Sequence, residues 1–366
     1  MALVCRTLTP SQERAWDAFV LAAPGGTFFH RAAWATVIAR VFRHTPHYLL
    51  AERDGAIAGV LPLVHVKSRI FGNSLISNPF CVYGGPLADD AEAAAALEAA
   101  ATDLLRPTGA SCIEFRDRAP MQSAPMDCAS VDSGVTAVAA GDRTESGWVG
   151  RPDLYVTFRK PIVADAETNM KAIPRKQRAM VRKGIQNGLH AVVDRDVGKL
   201  HPIYAESVRN LGTPVFSRRY FQALLDAFGD DADILTVYGA GKPVASVLNF
   251  YFRDEVLPYY GGGTKAARDL AANDFMYWSV MQHAAARGCR LFDFGRSKLG
   301  TGSFSFKKNW GFTPEPLHYR FKLKPGATIP DHNPLNPKYR LFIEAWKRLP
   351  LPVANLVGPH IVRAIG

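Results

Sequence analysis

The chain has 366 residues, of which 48% are hydrophobic and 21% charged, and its formal net charge is +11. This length is comfortable for two domains that each bury a core, and the composition excludes a disordered or fibrous protein. Met1–Phe19 contains no signal-peptide hydrophobic region, and no apolar run is long enough to span a membrane, so we expect a cytoplasmic protein.

The first half of the chain predicts a helix, a hairpin, a further strand, a second helix and a last strand. In chain order these are a helix at Arg31–Phe42, strands at His47–Glu52 and Ala56–Val66, a strand that ends at Tyr83, a helix at Asp90–Leu105 and a strand at Cys112–Arg116. Asp54-Gly55 lies between alternating apolar runs, as a hairpin turn requires. Met121–Gly150 predicts an irregular segment before a strand at Leu154–Arg159.

The second half predicts a helical hairpin over Asp165–Gly188, broken at Pro174, and then the same order of elements. These are a helix at Arg219–Phe228, strands at Ile234–Tyr238, Pro243–Phe252 and Glu255–Gly261, a helix at Asn273–Arg287 and a strand at Arg290–Gly295. Asn273 is the expected N-cap of the last helix, and Gly288 is its expected C-terminal stop.

An internal repeat supports the duplicated order. Gly26-Thr27 recurs as Gly212-Thr213, Val41-Phe42 as Ala227-Phe228 and Gly55 as Gly241 at one offset, and Tyr83-Gly84-Gly85 recurs as Tyr260-Gly261-Gly262 at a shorter one. A long hairpin followed by strand, helix and strand is the order of the GNAT acyltransferase core. We therefore predict an α/β (α+β) fold of two tandem GNAT-like domains, each a mixed, mostly antiparallel sheet flanked by helices. The predicted limits are 1–160 and 161–330, with a basic amphipathic tail at 331–366.

The cysteines argue against a structural metal or a disulfide framework. The chain has five cysteines, which is an odd number, and they are widely spread with no CxxC pair. The sequence therefore predicts no metal site. Cys112 and Cys289 precede apolar, strand-like runs, which favours core packing over a nucleophilic role.

The positive charge is concentrated in two runs. Residues 171–183 contain six basic and no acidic side chains, and residues 296–324 contain seven basic residues against Glu315 alone. This concentration favours an anionic partner such as a phosphate, a nucleotide, RNA or an acidic membrane surface; a solvated face is the alternative. Arg175, Arg178 and Arg182 fall on one helix face, spaced to follow a polyphosphate or RNA backbone.

The densest cluster of candidate site residues follows the last predicted strand. It comprises Asp293-Phe294-Gly295-Arg296-Ser297, a glycine-rich turn, and Phe306-Lys307-Lys308-Asn309-Trp310. A short helix is predicted to start near Thr301 after this turn, and a strand end that faces a helix N-terminus is a natural anion site. Acyl transfer to an amine needs a stabilised oxyanion and a held donor, so Lys307 and Arg296 are predicted to supply positive charge. Asp293 is predicted to accept a proton or to hold Arg296; a structural ion pair with core aromatics nearby is the alternative.

The place of the usual CoA-binding turn reads Lys265–Ala272 and has none of the glycines that cradle a pyrophosphate. We therefore expect no cofactor, and acetyl-CoA is not supported as the donor.

Five segments together resemble the Fem-type (FemAB/FemX-like) aminoacyl transferases of the GNAT superfamily, in the branch associated with PEP-CTERM/exosortase exopolysaccharide clusters. They are PRKQRAMVRKGIQNGL at 174–189, YYGGG at 259–263, FDFGRS at 292–297, FKKNWGF at 306–312 and WKRLPLP at 346–352. The resemblance covers nearly the whole chain, although the long coiled-coil arm of several tRNA-using members is missing. It implies tandem GNAT-like domains and transfer of amino acids from aminoacyl-tRNA onto peptidoglycan precursors. It also implies that Lys307 lies near the reacting groups and that the helix at 175–183 meets a substrate phosphate.

The expected activity is acyl or aminoacyl transfer to an amine of a cell-envelope precursor, related to peptidoglycan or exopolysaccharide. A CoA- or carrier-thioester-dependent N-acyltransferase and a non-catalytic, membrane-associated component of an exopolysaccharide/exosortase system are the alternatives. The expected catalytic residues are Lys307, Asp293 and Arg296, and the expected substrate-binding residues are Arg175, Arg178, Arg182, Tyr260, Ser297, Lys308 and Trp310.

The expected partners are a phosphate-bearing envelope precursor and a donor, which is either aminoacyl-tRNA or an acyl thioester. The tail from Asp331 combines aromatic and basic residues, and its prolines exclude a spanning helix. Such a tail suits peripheral contact with the inner face of the cytoplasmic membrane, or it packs on the second domain.

Overall fold

The structure is a computed structural model that describes residues 3–68, 72–120, 147–329 and 337–365. Within these ranges the chain forms 17 strands and 13 α-helices, and the strands make three sheets. Most of the predicted irregular segment Met121–Gly150 and the start of the predicted tail lie outside the described residues.

The first half contains nine strands and four helices. In chain order they are β1 (Leu3–Thr7), α1 (Glu13–Ala22), α2 (Ala33–Phe42), β2 (Thr45–Pro46), β3 (Leu49–Arg53), β4 (Ala56–Leu61), β5 (Leu63–Ser68), β6 (Gly72–Ser77), β7 (Leu87–Ala88), α3 (Ala91–Asp103), α4 (Leu105–Thr108), β8 (Cys112–Asp117) and β9 (Trp148–Arg151).

The second half and the tail contain the remaining elements. They are β10 (Val156–Pro161), α5 (Ala166–Ala172), α6 (Arg175–Gln186), β11 (His190–Asp194), α7 (Val197–Leu211), α8 (Arg218–Phe228), β12 (Ala232–Gly239), β13 (Lys242–Phe252), β14 (Glu255–Gly263), α9 (Lys265–Asp269), α10 (Ala272–Ala286), β15 (Leu291–Asp293), α11 (Gly302–Asn309), β16 (Pro314–Pro316), β17 (His318–Leu323), α12 (Pro337–Arg348) and α13 (Leu351–Ile365).

The sheet of the second half opens at one end. Its strand order is β11-β12-β13-β14-β15-β10-β16, and β11 to β14 form an antiparallel meander. Strand β14 stays paired with β13 as far as Gly263, whereas its described parallel pairing with β15 involves only Glu255 and Val256. The C-terminal part of β14 therefore diverges from β15 and leaves a gap in the sheet.

The first half repeats this order and confirms the predicted duplication. Strands β3 and β4 form a hairpin at Asp54-Gly55, as β12 and β13 do at Ala240-Gly241, and all four turn residues have positive φ. Strands β6 and β8 are parallel and joined through α3, as β14 and β15 are through α10. The predicted single strand at Ala56–Val66 is divided into β4 and β5, because Pro62 has no amide to donate to a ladder.

Two local predictions are wrong. Tyr83 does not end a strand, because β6 ends at Ser77 and the chain turns through Asn78 and Phe80, both of which have positive φ. Asn273 does not cap α10, whose N-cap is Ala271, and its side chain packs against Gly263 instead. By contrast, Gly288 follows α10 with a φ of 87°, as a helix stop requires.

The two predicted domains exchange a strand. Strand β10, most of which lies within the predicted first domain, pairs with β15 of the second, and β17, which lies within the predicted second domain, pairs with β8 of the first. The predicted boundary at residue 160 falls inside β10, so the pairing crosses that boundary in both directions, and the domain limits stay a prediction. The exchange fixes the two halves against each other.

An aromatic core fills the contact between the halves. Phe28 lies with its ring centroid 4.3 Å from that of Phe250 and 4.5 Å from that of Phe228, and Trp34 packs 5.2 Å from Phe228. All four rings are buried. Because burial of such rings contributes strongly to stability, we expect the halves to move little relative to each other.

Candidate active site

A cavity of about 450 Å³ lies where β14 and β15 diverge. The second half supplies most of its wall, including Tyr260, Arg296 and Lys307. The first half contributes Phe80 and Val82, and helix α13 contributes Val362. The cavity, called the central pocket below, is therefore formed jointly by both halves and the C-terminal tail.

Lys307 reaches the central pocket from α11. The predicted short helix is confirmed: Thr301 is its N-cap, and the Thr301 Oγ1 atom accepts a hydrogen bond from the amide of Phe304. The Lys307 Nζ atom donates to the carbonyl oxygens of Gly295, at 3.0 Å, and Arg296, at 2.9 Å. Two backbone acceptors thus fix the amine at the end of the strand that leads out of β15.

The environment of Lys307 disfavours its charged form. Burial of the amine, with a smaller contribution from the positive charge of Arg296, lowers its pKa to about 7, although Asp293 acts in the opposite direction. Near neutral pH, Lys307 therefore exists as ammonium and amine in comparable amounts. A group with such a pKa is suited both to stabilise negative charge and to exchange a proton.

Arg296 is held by tyrosines. Its Nη1 atom donates to the hydroxyl oxygen of Tyr319 at 2.8 Å, and its guanidinium group lies 4.7 Å from the ring centroid of Tyr155. The Tyr319 hydroxyl in turn donates to the carbonyl oxygen of Val82. The predicted pair Asp293–Arg296 is thus absent from the described contacts, and Arg296 is free to present its charge to the central pocket.

A group of tyrosines lines the pocket near Arg296. The Tyr260 hydroxyl lies 2.8 Å from that of Tyr220, and the Tyr259 hydroxyl donates to the carbonyl oxygen of Phe80 at 2.9 Å. Burial raises the pKa of both Tyr259 and Tyr260 well above the usual value, so both remain neutral. Tyr260 thus lies in the wall of the central pocket, and its substrate-binding role stays a prediction.

Asp293 is buried behind the pocket wall rather than in it. Its Oδ2 atom accepts a hydrogen bond from the Tyr83 hydroxyl at 3.0 Å and lies 3.3 Å from Nε of Arg159. Its Oδ1 atom accepts from the amide of Gly295 at 2.6 Å. Asp293 is therefore partnered by Arg159 instead of Arg296, and it does not line the central pocket.

Three predicted substrate-binding residues of the same region also lie outside the pocket wall. Ser297 is buried beside β10, to which its backbone is bonded through Val156, and its hydroxyl has no described partner. Lys308 is exposed and does not line the pocket. Trp310 is fully buried, and its Nε1 atom donates to Asp274 at 3.0 Å. Trp310 contributes to the core because helix α11 must be anchored against α10.

The arginines of α6 are separate from the pocket. Helix α6 packs its Val181 and Gly184 side against α10, with the Cβ of Phe275 close to Gly184. Arg175 and Arg182 are exposed on the outer side, and Arg178 is half-buried. The structure thus places Arg175, Arg178 and Arg182 on a surface apart from Lys307.

Several pocket residues were not predicted. Phe80, Val82, Thr213, Tyr277 and Val362 line the pocket. They come from distant parts of the chain, and apart from Thr213, which belongs to the repeated Gly212-Thr213 pair, none lies in a motif identified from the sequence. Tyr259 is a second exception, since it stands beside Tyr260 in the repeated tyrosine–glycine segment.

The described residues contain no cluster that could hold a metal ion, and none of their helices is both long and apolar enough to cross a bilayer. Cys112 and Cys289 are buried, as predicted. Burial raises the pKa of Cys289 to about 11, which leaves its thiol protonated and a poor nucleophile.

Residues 172–308, which include α6, α10, Arg296 and Lys307, match the family described as Acetyltransferase (GNAT) domain. Among curated proteins, no sequence matches the chain significantly. Among solved structures, the chain is similar to FemX, with a TM-score of 0.65 and 16% identity over 93% of this chain and 100% of that one.

Two further solved structures share the fold. One is a tandem GNAT protein from the clavulanic acid biosynthesis pathway, with a TM-score of 0.50 and 13% identity over 90% of this chain and 100% of that one. The other is the C-terminal domain of a putative lysylphosphatidylglycerol synthetase from Agrobacterium fabrum, with a TM-score of 0.51 and 13% identity over 85% of this chain and 91% of that one. Residues 172–308 thus resemble a GNAT-type acetyltransferase domain, and the chain as a whole shares its fold with FemX and with a tandem GNAT protein.

Proposed function

We propose that the protein transfers an activated acyl or aminoacyl group to an amine of a cell-envelope precursor related to peptidoglycan or exopolysaccharide. The observation that carries the proposal is Lys307, whose amine is fixed at the central pocket by two backbone carbonyls and has a pKa of about 7. The envelope acceptor and the PEP-CTERM/exosortase branch rest on the Fem-type resemblance of the segments at 292–297 and 306–312.

In such a transfer, the nitrogen lone pair of the acceptor attacks the carbonyl carbon of the donor ester or thioester. The carbonyl oxygen then carries negative charge until the C–O or C–S bond breaks, and the leaving oxygen or sulfur takes up the proton that the amine loses. Lys307 in its ammonium form, with Arg296 nearby, would stabilise the transient oxyanion. Its pKa would also let it hand a proton to the leaving group and regain one from the attacking nitrogen.

The turn that holds a CoA pyrophosphate in many GNAT domains is occupied differently here. At the start of α9, the amide of Lys265 donates to Oε1 of Glu206 at 2.8 Å. The Glu206 carboxylate, on α7, thus accepts a hydrogen bond from a backbone amide of this turn. Its negative charge would repel a pyrophosphate there. This contact favours a donor that does not place a pyrophosphate at α9, such as aminoacyl-tRNA or a carrier-bound thioester.

The test is a comparison of donors. The protein is incubated with isotope-labelled aminoacyl-tRNA, acetyl-CoA or a carrier-bound thioester, together with amine-bearing nucleotide-linked or lipid-linked envelope precursors, and labelled product is measured by mass spectrometry. We expect transfer from the tRNA or the carrier thioester, and RNase treatment abolishes it only in the tRNA case. No transfer from any donor by the folded protein would overturn the proposal and favour the non-catalytic role.

A further inference from the structure

The two C-terminal helices expose apolar side chains. Large hydrophobic residues of α12 and α13 that face outward are Leu341, Phe342, Val353, Leu356 and Val357. Leu341 is 83% exposed and Leu356 is 72% exposed. Contiguous apolar surface of this kind indicates contact with a partner or a membrane.

This exposed face is distinct from the face by which α13 packs on the protein. Ala354, Gly358 and Val362 are spaced four residues apart and face the protein. Gly358 lies directly against Val215. Val353, Leu356 and Val357 lie on the other side at helical spacing. The helix is therefore anchored by one stripe and presents a second apolar stripe that covers nothing within the described residues.

Arginines surround an opening beside α13. Arg40 and Arg43 at the end of α2, Arg219 on α8 and Arg363 on α13 line a cavity of about 250 Å³ that has no acidic residue in its described wall. All four are exposed, and none forms an ion pair within the described residues. In α12 and α13, Glu344 is the one acidic residue, and it is paired with Lys347.

We propose that this surface, formed by the outer face of α12 and α13 and the arginines around the opening, docks on a bilayer that contains anionic phospholipid. The apolar stripe matches the acyl region of the bilayer, and the uncompensated guanidinium groups match lipid phosphates. Charge complementarity thus selects an anionic lipid surface as the occupant, rather than a neutral bilayer or a second, equally basic copy of the chain.

The docking surface is continuous with the central pocket. Phe216 and Val362 line both the arginine-rich opening and the pocket that contains Lys307. A docked protein would therefore hold the mouth of the pocket at the level of lipid phosphates. Resting on the proposed function, this placement favours a lipid-linked envelope precursor as the acceptor.

The test is co-sedimentation of the full chain with vesicles of phosphatidylcholine alone or of phosphatidylcholine with phosphatidylglycerol at 3:1. We expect binding to the anionic vesicles, weakened by added salt, and little binding to the neutral ones. Leu356→Asp should weaken binding about tenfold or more, because it places a charge in the apolar stripe. The matched control is Leu21→Asp, an exposed leucine on α1, which packs on β4; it should bind as the wild type does.

Arg363→Glu should weaken binding to anionic vesicles about tenfold while leaving circular dichroism unchanged. Equal binding of Leu356→Asp and wild type, or equal binding to both vesicle types, would overturn the proposal. So would a dimer in sedimentation velocity that Leu356→Asp dissociates, since the face would then join two copies. Lys307→Ala should bind vesicles normally, so failure of docking and failure of the proposed catalysis are separable.

Discussion

The Nζ atom of Lys307 lies 3.0 Å from the carbonyl oxygen of Gly295, a residue whose φ of 66° is in the left-handed region. The amide of the same glycine donates to the carboxylate of Asp293. A buried acidic residue thus sets the backbone conformation that positions the pocket lysine. The structural contact to Asp293 and the contact that positions Lys307 are thus linked through one residue, Gly295.

Lys307→Ala should reduce turnover at least about a hundredfold, because removal of one oxyanion-stabilising donor typically costs that much. The variant should fold, since the amine is half-buried and bonds only to carbonyls that the pocket can hydrate. Turnover is measured with the donor that proves active in the comparison of donors, and folding is measured by circular dichroism.

Lys308→Ala is the matched comparison, because Lys308 is the exposed neighbour on the same helix and lies outside the pocket wall. We expect turnover within about twofold of wild type, as for most surface substitutions. An equal loss in both variants would mean that the charge of α11, and not the position of Lys307, matters.

The pH dependence of turnover should report the state of Lys307. Its pKa is lowered to about 7, so the ammonium form predominates below pH 7 and is lost as the pH rises through 7. If the ammonium form stabilises the oxyanion, the ratio of the wild-type rate to the Lys307→Arg rate falls above pH 7, since the guanidinium of the variant stays protonated. Taking this ratio cancels the titration of the acceptor amine. A ratio that rises through pH 7 would instead identify the neutral amine as a base.

Asp293→Asn should lower the free energy of unfolding by about 3 kcal/mol, because it breaks a buried ion pair with Arg159. Arg159 keeps Glu255 as a second partner, which limits the loss. The substitution also removes the charge that raises the pKa of Lys307, so the fall in turnover should move to lower pH. Denaturant unfolding and the pH profile measure the two effects.

The control for Asp293→Asn is Asp254→Asn, which breaks the exposed pair with Arg290. Such surface pairs contribute at most about 1 kcal/mol, and neither Asp254 nor Arg290 lines the central pocket. A pH profile that is identical in Asp293→Asn and wild type would show that Asp293 has no part in positioning or tuning the lysine.

The duplicated fold was accessible from the sequence because its signals are local. The turns at Gly55 and Gly241 and the start of α11 near Thr301 each depend on a few neighbouring residues, and the structure has them where predicted. Strand pairing between the halves has no comparable local signal in the sequence. The exchange of β10 and β17 and the partnership of Asp293 with Arg159 join segments more than a hundred residues apart.

The candidate site was predictable only in part for the same reason. The segment from Gly295 to Lys307 is local, and the sequence identified Arg296 and Lys307 as its candidate catalytic residues. The sequence could not show that Val362 of the tail closes the pocket, or that the apolar contacts of Trp310 turn it inward. Aromatic residues in a motif look alike whether they face a substrate or the core.

Trp310→Phe distinguishes a core role from a substrate-binding role. The Trp310 Nε1 atom and the side-chain amide of Gln177 both donate to Oδ1 of Asp274, whose pKa is raised by burial. Loss of one donor should cost about 1–3 kcal/mol of unfolding free energy, because it leaves a buried carboxylate less well satisfied. Gln177→Met removes the other donor to the same oxygen and should cost a similar amount. Neither change should alter the KM for the acceptor, since Trp310 has no surface in the central pocket; a raised KM in Trp310→Phe alone would return this residue to the substrate site.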